Sequence, residues 1–301
     1  MQRGATPIGR GARCACGPWG VRGVRGVRGI WALALVSIGC HWAGLPAVSA
    51  PDPATGSPRF REIRRHSAPA ATQAVAVDGA HFYAIASQSI EKYEKSGGAR
   101  VASWAGPASG PIVHLNSGIV LDGALYCAHS NFPGIPMLSS IEIFDAETLE
   151  HRGSHSFGIF GGSATWIDRW DDHWWVAFAH YQGRGGEPGK GPSWTTLVKF
   201  DAQWRRVAGF AYPSPVVAGF AGRSNSGGAW GADGLLYITG HDAAEVTVLR
   251  LPVAGSFLEV VEILPAPIEG QGIAWDRHRP GVLYGLVKRT REVVVSILDR
   301  P

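Results

Sequence analysis

Between Pro51 and Pro301 the sequence holds a single cysteine, Cys127, and a single methionine, Met137. One cysteine cannot form an intramolecular disulfide, so stability there must come from an apolar core. Cys127 lies in the apolar run Leu125-Tyr126-Cys127-Ala128, where a small buried hydrophobe is expected rather than a nucleophile. The first 50 residues contain no Lys, Asp or Glu but six Arg, so the formal net charge of +4 belongs to them; the remainder carries 22 basic against 24 acidic residues. The pI near 9.0 therefore describes a leader and gives no reason to expect nucleic acid as a partner. Charged residues are scarce at 17%, and no apolar run is long and uninterrupted enough for a good spanning helix. Gly-x-Ser-x-Gly, His-Glu-x-x-His and a Gly-rich loop ending Gly-Lys-Ser/Thr are all missing, which removes the usual serine elbow, zinc helix and phosphate cradle. What is plentiful is Gly (41), Pro (20) and Trp (12), the composition of many short strands joined by turns.

Residues 1–50 read as a secretory leader. Arg3 to Arg28 are basic, Ile30 to Gly39 are apolar with a weak extension to Leu45, and Ala47-Val48-Ser49-Ala50 are small, with cleavage expected after Ser49. Val-Arg-Gly occurs three times from Val21 to Gly29, so translation could begin inside that repeat. Ser37-Ile38-Gly39-Cys40 is a poor lipobox, and membrane attachment is expected only through lipidation at Cys40. Residues 51–301 are then one extracytoplasmic domain, expected to act as a monomer.

That domain repeats. Strands ending Tyr93, Phe144, Phe200, Leu251 and Leu298 recur at spacings of 51, 56, 51 and 47 residues. Each is preceded by a two-strand unit folded about a turn, at Asp78-Gly79, Asp122-Gly123, Asp171-Asp172, Asp233-Gly234 and Pro280-Gly281. A fourth strand follows the first four units, but the fifth runs out of chain at Asp299. Arg59 to His66, followed by Pro69, matches the missing strand. The pattern predicts an all-β, five-bladed β-propeller, five blades rather than six, with the ring closed by an N-terminal strand. An irregular β-sandwich would explain short strands but neither the period nor the surplus strand.

Propeller topology sorts the residues by face. The inner strands begin with Thr72-Gln73, Asn116-Ser117-Gly118, Gly162-Ser163, Asn225-Ser226-Gly227 and Gly270-Gln271-Gly272, which should ring one mouth of the central channel. The ends of the second strands add His129 and Asn131, His180 and Tyr181, His241 and Asp242, and Lys288 and Arg289, with His114 just ahead of Asn116 and Ser87 in the first blade. Long loops on the same face run from Asn131 to Pro136 and from Gln182 to Trp194, the latter Gly-rich and reading as a lid, and a long connection spans Ser214 to Arg223. His129, His180 and His241 are the candidate general bases or ligands; with Asp242 they could hold a divalent metal ion. Lys288 and Arg289 suit an anion, and His114, Asn116, Asn131, Tyr181, Asn225, Asp242 and Gln271 are candidate substrate-binding residues. Carboxylates are too few on this face to favour glycoside hydrolysis. Most of the tryptophans are expected to pack between blades, leaving Trp194 as a candidate ring platform.

The segment Glu269-Gly270-Gln271-Gly272-Ile273-Ala274-Trp275-Asp276, with the ring-closing N-terminal strand, resembles secreted bacterial β-propellers of the glutamine cyclotransferase type and the lactonising cycloisomerases. The resemblance spans nearly all of Arg59 to Pro301, and its motifs are those of blades. It implies the fold and an extracytoplasmic setting and permits an enzyme. The expectation is an exported lyase, isomerase or hydrolase acting on a small anionic or sugar-derived molecule. The rival expectation is a non-catalytic propeller that binds a glycan or another envelope protein.

Overall fold

The computed structural model describes residues 56–159 and 161–300. The leader, its cleavage site and Cys40 lie outside them. The described chain enters on β1 (Arg59–Ser67). Blade one follows as β2 (Ala74–Val77), β3 (His81–Ala86), β4 (Ser89–Glu94) and β5 (Arg100–Ala105), and blade two as β6 (Leu115–Leu121), β7 (Ala124–Ser130), β8 (Ser139–Asp145) and β9 (His151–Gly158). Blade three is β10 (Ser163–Trp170), β11 (His173–Ala179), β12 (Thr196–Phe200) and β13 (Arg206–Ala211); a short helix α1 (Ser214–Gly219) leads to blade four, β14 (Gly227–Trp230), β15 (Leu236–Thr239), β16 (Glu245–Arg250) and β17 (Glu259–Pro265). Blade five has β18 (Ala274–Trp275), β19 (Val282–Val287) and β20 (Glu292–Asp299), and β1 is its outer strand. The protein is an all-β, five-bladed propeller closed by its N-terminal strand, as the repeat implies.

Inner-strand hairpins follow their turn residues. Asp122 and Gly123 both take positive φ (49° and 75°), as do Asp171 and Asp172 (50° and 56°), the backbone a two-residue hairpin turn requires. Asp78-Gly79 turns differently: the Asp78 carboxylate accepts the backbone N–H groups of Ala80 and His81 at 2.8 and 2.6 Å.

The core is divided among the interfaces between blades. Five apolar clusters lie one to each adjacent pair, and the closing pair packs Val75, Phe82 and Tyr93 of blade one against Tyr284, Leu286 and Val293 of blade five. The tryptophans fall as expected: Trp166, Trp170, Trp175 and Trp230 pack between blades three and four, Trp174 between two and three, and Trp275 between four and five. Cys127 is fully buried in the cluster between blades one and two.

On the axis the inner strands approach closely. A Cβ on Gly272 would strike Ala74 Cβ and Ser117 Oγ, and one on Gly227 would strike Gln271 O. This constriction separates a wide mouth from a small void at the opposite end, about 20 Å³ and the size of one water, beside Asp168 and Arg277. The mouth is therefore a blind pocket.

Ring closure rests on β1. It pairs antiparallel with β20 from Arg59–Asp299 to Ser67–Glu292, and its Phe60, only 4% exposed, meets Tyr237 and Trp275 at ring-centroid distances of 6.5 and 5.8 Å. Phe60→Ala should lower unfolding stability by about 3–5 kcal/mol in urea titrations. Arg61→Ala, which breaks only an exposed ion pair to Asp299, should leave the midpoint where it is.

Candidate functional site

The mouth opens into a cavity of about 940 Å³. All five blades contribute: Gln73 and Ser87 from the first, His114 from the connection into the second, Asn116 from β6, Thr165 from β10, His241 beyond β15, and Gln271 and Lys288 from the fifth. Tyr181 with Gln182 and Arg184 at the start of one long segment, and Ala221 to Arg223 at the end of another, also line it, and Val113, Phe132, Pro133 and Ser226 complete the wall.

Its electrostatics are one-sided. Arg184, Arg223 and Lys288 line the cavity, and no carboxylate does. Arg184 lies over the Phe132 ring, 5.6 Å from its centroid, and neither it nor Lys288 has an ion-pair partner among the described residues. Arg223 reaches Asp242 only at 4.0 Å, across an exposed surface where such a pair is weak.

Two imidazoles face this charge. His114 Nδ1 lies 3.1 Å from Ser87 Oγ, which also accepts Gln73 Nε2–H at 3.3 Å; its ring packs on Phe132 at 5.0 Å. Burial, then the nearby His129, Arg184 and Lys288, lowers the His114 pKa to about 4. Its Nε2 has no protein partner among the described residues. His241 is also held below the ordinary imidazole value, chiefly by burial, with Lys288 and Arg223 adding to the effect and Asp242 opposing it. Its Nδ1 lies 2.6 Å from Asp242 Oδ1 without hydrogen-bond alignment, so that nitrogen has a charge neighbour but no bonded partner. Gln271 Nε2–H donates to the His241 carbonyl at 3.1 Å. Gly270 and Gln271 hold consecutive positive φ values of 63° and 65°, an unfavourable backbone for Gln that the surrounding ring imposes.

The other expected residues lie elsewhere. His129 is buried behind the wall with both ring nitrogens occupied: Nε2 accepts Val113 N–H at 3.1 Å, so the proton sits on Nδ1 and is given to Ser140 Oγ at 2.9 Å, which in turn donates to Glu142. His180 is buried under the Gln182–Trp194 loop, its Nε2 3.2 Å from Gly161 O and its Nδ1 3.6 Å from Glu187. Glu187 also accepts Met137 N–H and Lys190 Nζ–H, each at 3.1 Å, so the loop expected to be a lid is tethered at its middle. Asn225 is fully buried and spends its amide on Trp166, Tyr212, Gly227 and Thr239. Asn131 caps its own loop through Pro136 O and Leu138 N. Asp242 and Arg289 border a shallower side cavity of about 380 Å³ with Glu269 and Lys288, so Lys288 stands between the two spaces. Tyr181 does line the mouth, its hydroxyl pKa pushed up to about 12 by burial. Of the twelve candidates, His114, Asn116, Tyr181, His241, Gln271 and Lys288 meet in one cavity.

Among the described residues no three His, Cys, Asp or Glu side chains gather as a metal-holding group. His129, His180, His241 and Asp242 are not brought together, and the divalent ion considered for them has no site built from that set. Two cations that shape the cavity, Arg184 and Arg223, went unmarked in the sequence. Their one signal is a basic residue inside each of the two longest connections on the elaborated face.

No family model matches the chain, and no curated protein matches it in sequence. Solved structures match it in architecture. The PQQ-bound aldose sugar dehydrogenase of Streptomyces coelicolor aligns over 81% of this chain and 99% of that one, at 10% identity and a TM-score of 0.52. The hydrazine synthase of Kuenenia stuttgartiensis aligns over 76% and 84%, at 12% identity and 0.46, and a chain of the mitotic checkpoint complex over 88% and 98%, at 8% and 0.42. The likeness to the first of these is one of fold alone.

Proposed function

We propose that the protein is an exported enzyme of the lyase, isomerase or hydrolase class, acting on a small anionic substrate in the blind mouth cavity. One observation carries this reading: Arg184, Arg223 and Lys288 line the cavity, no carboxylate lines it with them, and only Arg223 meets one at all, the exposed Asp242 at 4.0 Å. Such a site gains most by taking up negative charge, and guanidinium and ammonium groups bind carboxylates through charge-assisted hydrogen bonds. The leader composition supports export. The neutral His114 and His241 serve as the acid–base pair, with Ser87 orienting the first and the Gln271 amide anchoring the backbone of the second. His114 Nε2 is the atom that takes or returns a substrate proton; an anion neutralising Arg184 and Lys288 raises its basicity at the moment it is needed. His129 and His180 act through structure, one in the wall and one in anchoring the loop. A binding role without turnover has one observation in its favour, the indole of Trp194, 55% exposed beside that loop, which could stack on a glycan.

Depletion of anionic sugars and lactones by the purified protein separates these readings. His114→Asn should reduce turnover by about 10²-fold or more with the melting temperature held within a few degrees. Lys288→Met should weaken binding of the anion by on the order of tenfold or more. Unchanged binding in Lys288→Met and Arg184→Met would remove the anionic reading. Loss of ligand binding in Trp194→Ala, with no substrate consumed by the wild type, would establish the binding role.

The His114 titration has a sign that can be checked. Its native pKa of about 4 lies below the unfolded value of 6.5, so between these pH values the unfolded chain binds the extra proton. Stability is complete above pH 6.5 and is lost as the pH falls towards 4, by about 3 kcal/mol from this group. Urea titrations from pH 7 to 4 should show a shallower loss in His114→Asn than in the wild type. In Lys288→Met the His114 midpoint, read by NMR, should move up.

A further inference from the structure

Two inner strands break register at the depth of the cavity floor. On β6, Leu115 pairs with His129 and Gly118 with Cys127, so Asn116 and Ser117 together stand opposite Ala128 alone. On β10, Ala164 pairs with Phe178 and Trp166 with Ala177, which leaves Thr165 as the extra residue. A bulge re-aims a side chain that a regular strand would turn elsewhere. Here Asn116 and Thr165 line the cavity, while Ser117 lies just below them against Gly272.

The groups placed there are unsatisfied. Ser117 Oγ and Thr165 Oγ1 are buried, at 1% and 3% residue exposure, and neither has a hydrogen-bond partner. Asn116 commits its Nδ2–H to Ala164 O at 3.1 Å, and its Oδ1 has no protein partner among the described residues. Buried polar groups are ordinarily paired; Ser117 does not line the cavity, so the Thr165 hydroxyl and Asn116 Oδ1, on adjacent blades at matching bulges, are the groups placed to meet a ligand, and together they call for one that both donates and accepts. An apolar group would leave them orphaned. An ammonium group would lack a carboxylate and would face the cationic rim of Arg184, Arg223 and Lys288. A hydroxyl fits.

We infer that the floor formed by Asn116 and Thr165 is a hydroxyl-recognition subsite, and that the ligand is a polyhydroxylated acid. Its hydroxylated carbons point down the axis and its anionic group stays among the cations at the rim. This rests on the anionic reading of the cavity and adds to it the second half of the ligand and its direction.

Calorimetry with matched probes tests the subsite: D-gluconate against hexanoate, and D-glucuronate against cyclohexanecarboxylate. In the wild type at least one sugar acid should bind on the order of tenfold or more tightly than its hydroxyl-free counterpart, because a site built to pair hydroxyls rejects the analogue that lacks them. In Thr165→Val that margin should shrink towards one, with binding of the hydroxyl-free anion unchanged, whereas Ser117→Ala, outside the cavity, should keep the margin. Without ligand both variants should melt at or above the wild-type temperature, since each removes an unpaired buried hydroxyl. Sugar acids that bind no more tightly than their counterparts, or a margin that survives Thr165→Val, would overturn the subsite and leave the anionic cavity standing. If none of the four anions binds, the anionic reading fails and the subsite with it.

Discussion

The antiparallel pairing of β1 with β20 is the contact on which the rest depends. Sheets in a propeller are stabilised by burying their faces against neighbours, and each blade here has one apolar cluster on either side. Without β1 the fifth blade would expose its β20 edge and lose Phe60 from the cluster it shares with blade four. The interface between blades one and five would then join two elements with little to hold them in register. With no disulfide available to the single buried Cys127, hydrogen-bonded closure is what makes the five interfaces mutually supporting.

Closure also makes the site. Five inner strands forced around one axis must come close, and small residues at Ala74, Gly227 and Gly272 let them do so at mid-depth. The constriction turns a channel into a blind pocket. Above it Phe132, Arg184 and Arg223, each on a long connection, line the cavity. The pocket has a polarity of its own: an open hydroxyl and an amide at the floor, neutral imidazoles on the wall, and cations at the rim. Its charge is not cancelled from within, because the carboxylates on this face are used in other places. Glu187 holds the loop, Glu269 pairs with Arg289, and Asp242 stands outside the cavity beside His241.

The histidines show how similar sequence positions come to different ends. His129, His180 and His241 stand at or just beyond the end of a second strand, and a repeat places them alike. His129 is buried at the end of β7, where Val113 N–H and Ser140 Oγ take both nitrogens. His180 lies beneath a loop that belongs to blade three alone. His241 follows a shorter strand and reaches the cavity. His114, which precedes an inner strand, has its pKa lowered chiefly by burial, with His129, Arg184 and Lys288 from other parts of the ring adding to the effect.

Much of this was legible in the order of residues. The period, the Asp-Gly turns, the surplus N-terminal strand and the elaborated face all follow from local propensity and alternation, which a linear sequence carries directly. Half of the candidate site residues, Asn116, Gln271 and Lys288 among them, line the one cavity on the face that topology singled out. What the sequence could not carry was the register within each strand and the convergence of separate blades. A bulge at Thr165 or at Asn116-Ser117 changes which way a side chain points without changing the pattern of apolar residues. Whether a histidine faces solvent-filled space or a neighbouring carbonyl depends on groups tens of residues away. The sequence by itself determined a five-bladed ring and the face on which its chemistry would lie. Only the tertiary structure decided which polar groups remained unpaired there, because pairing is a property of the closed ring and not of any one strand.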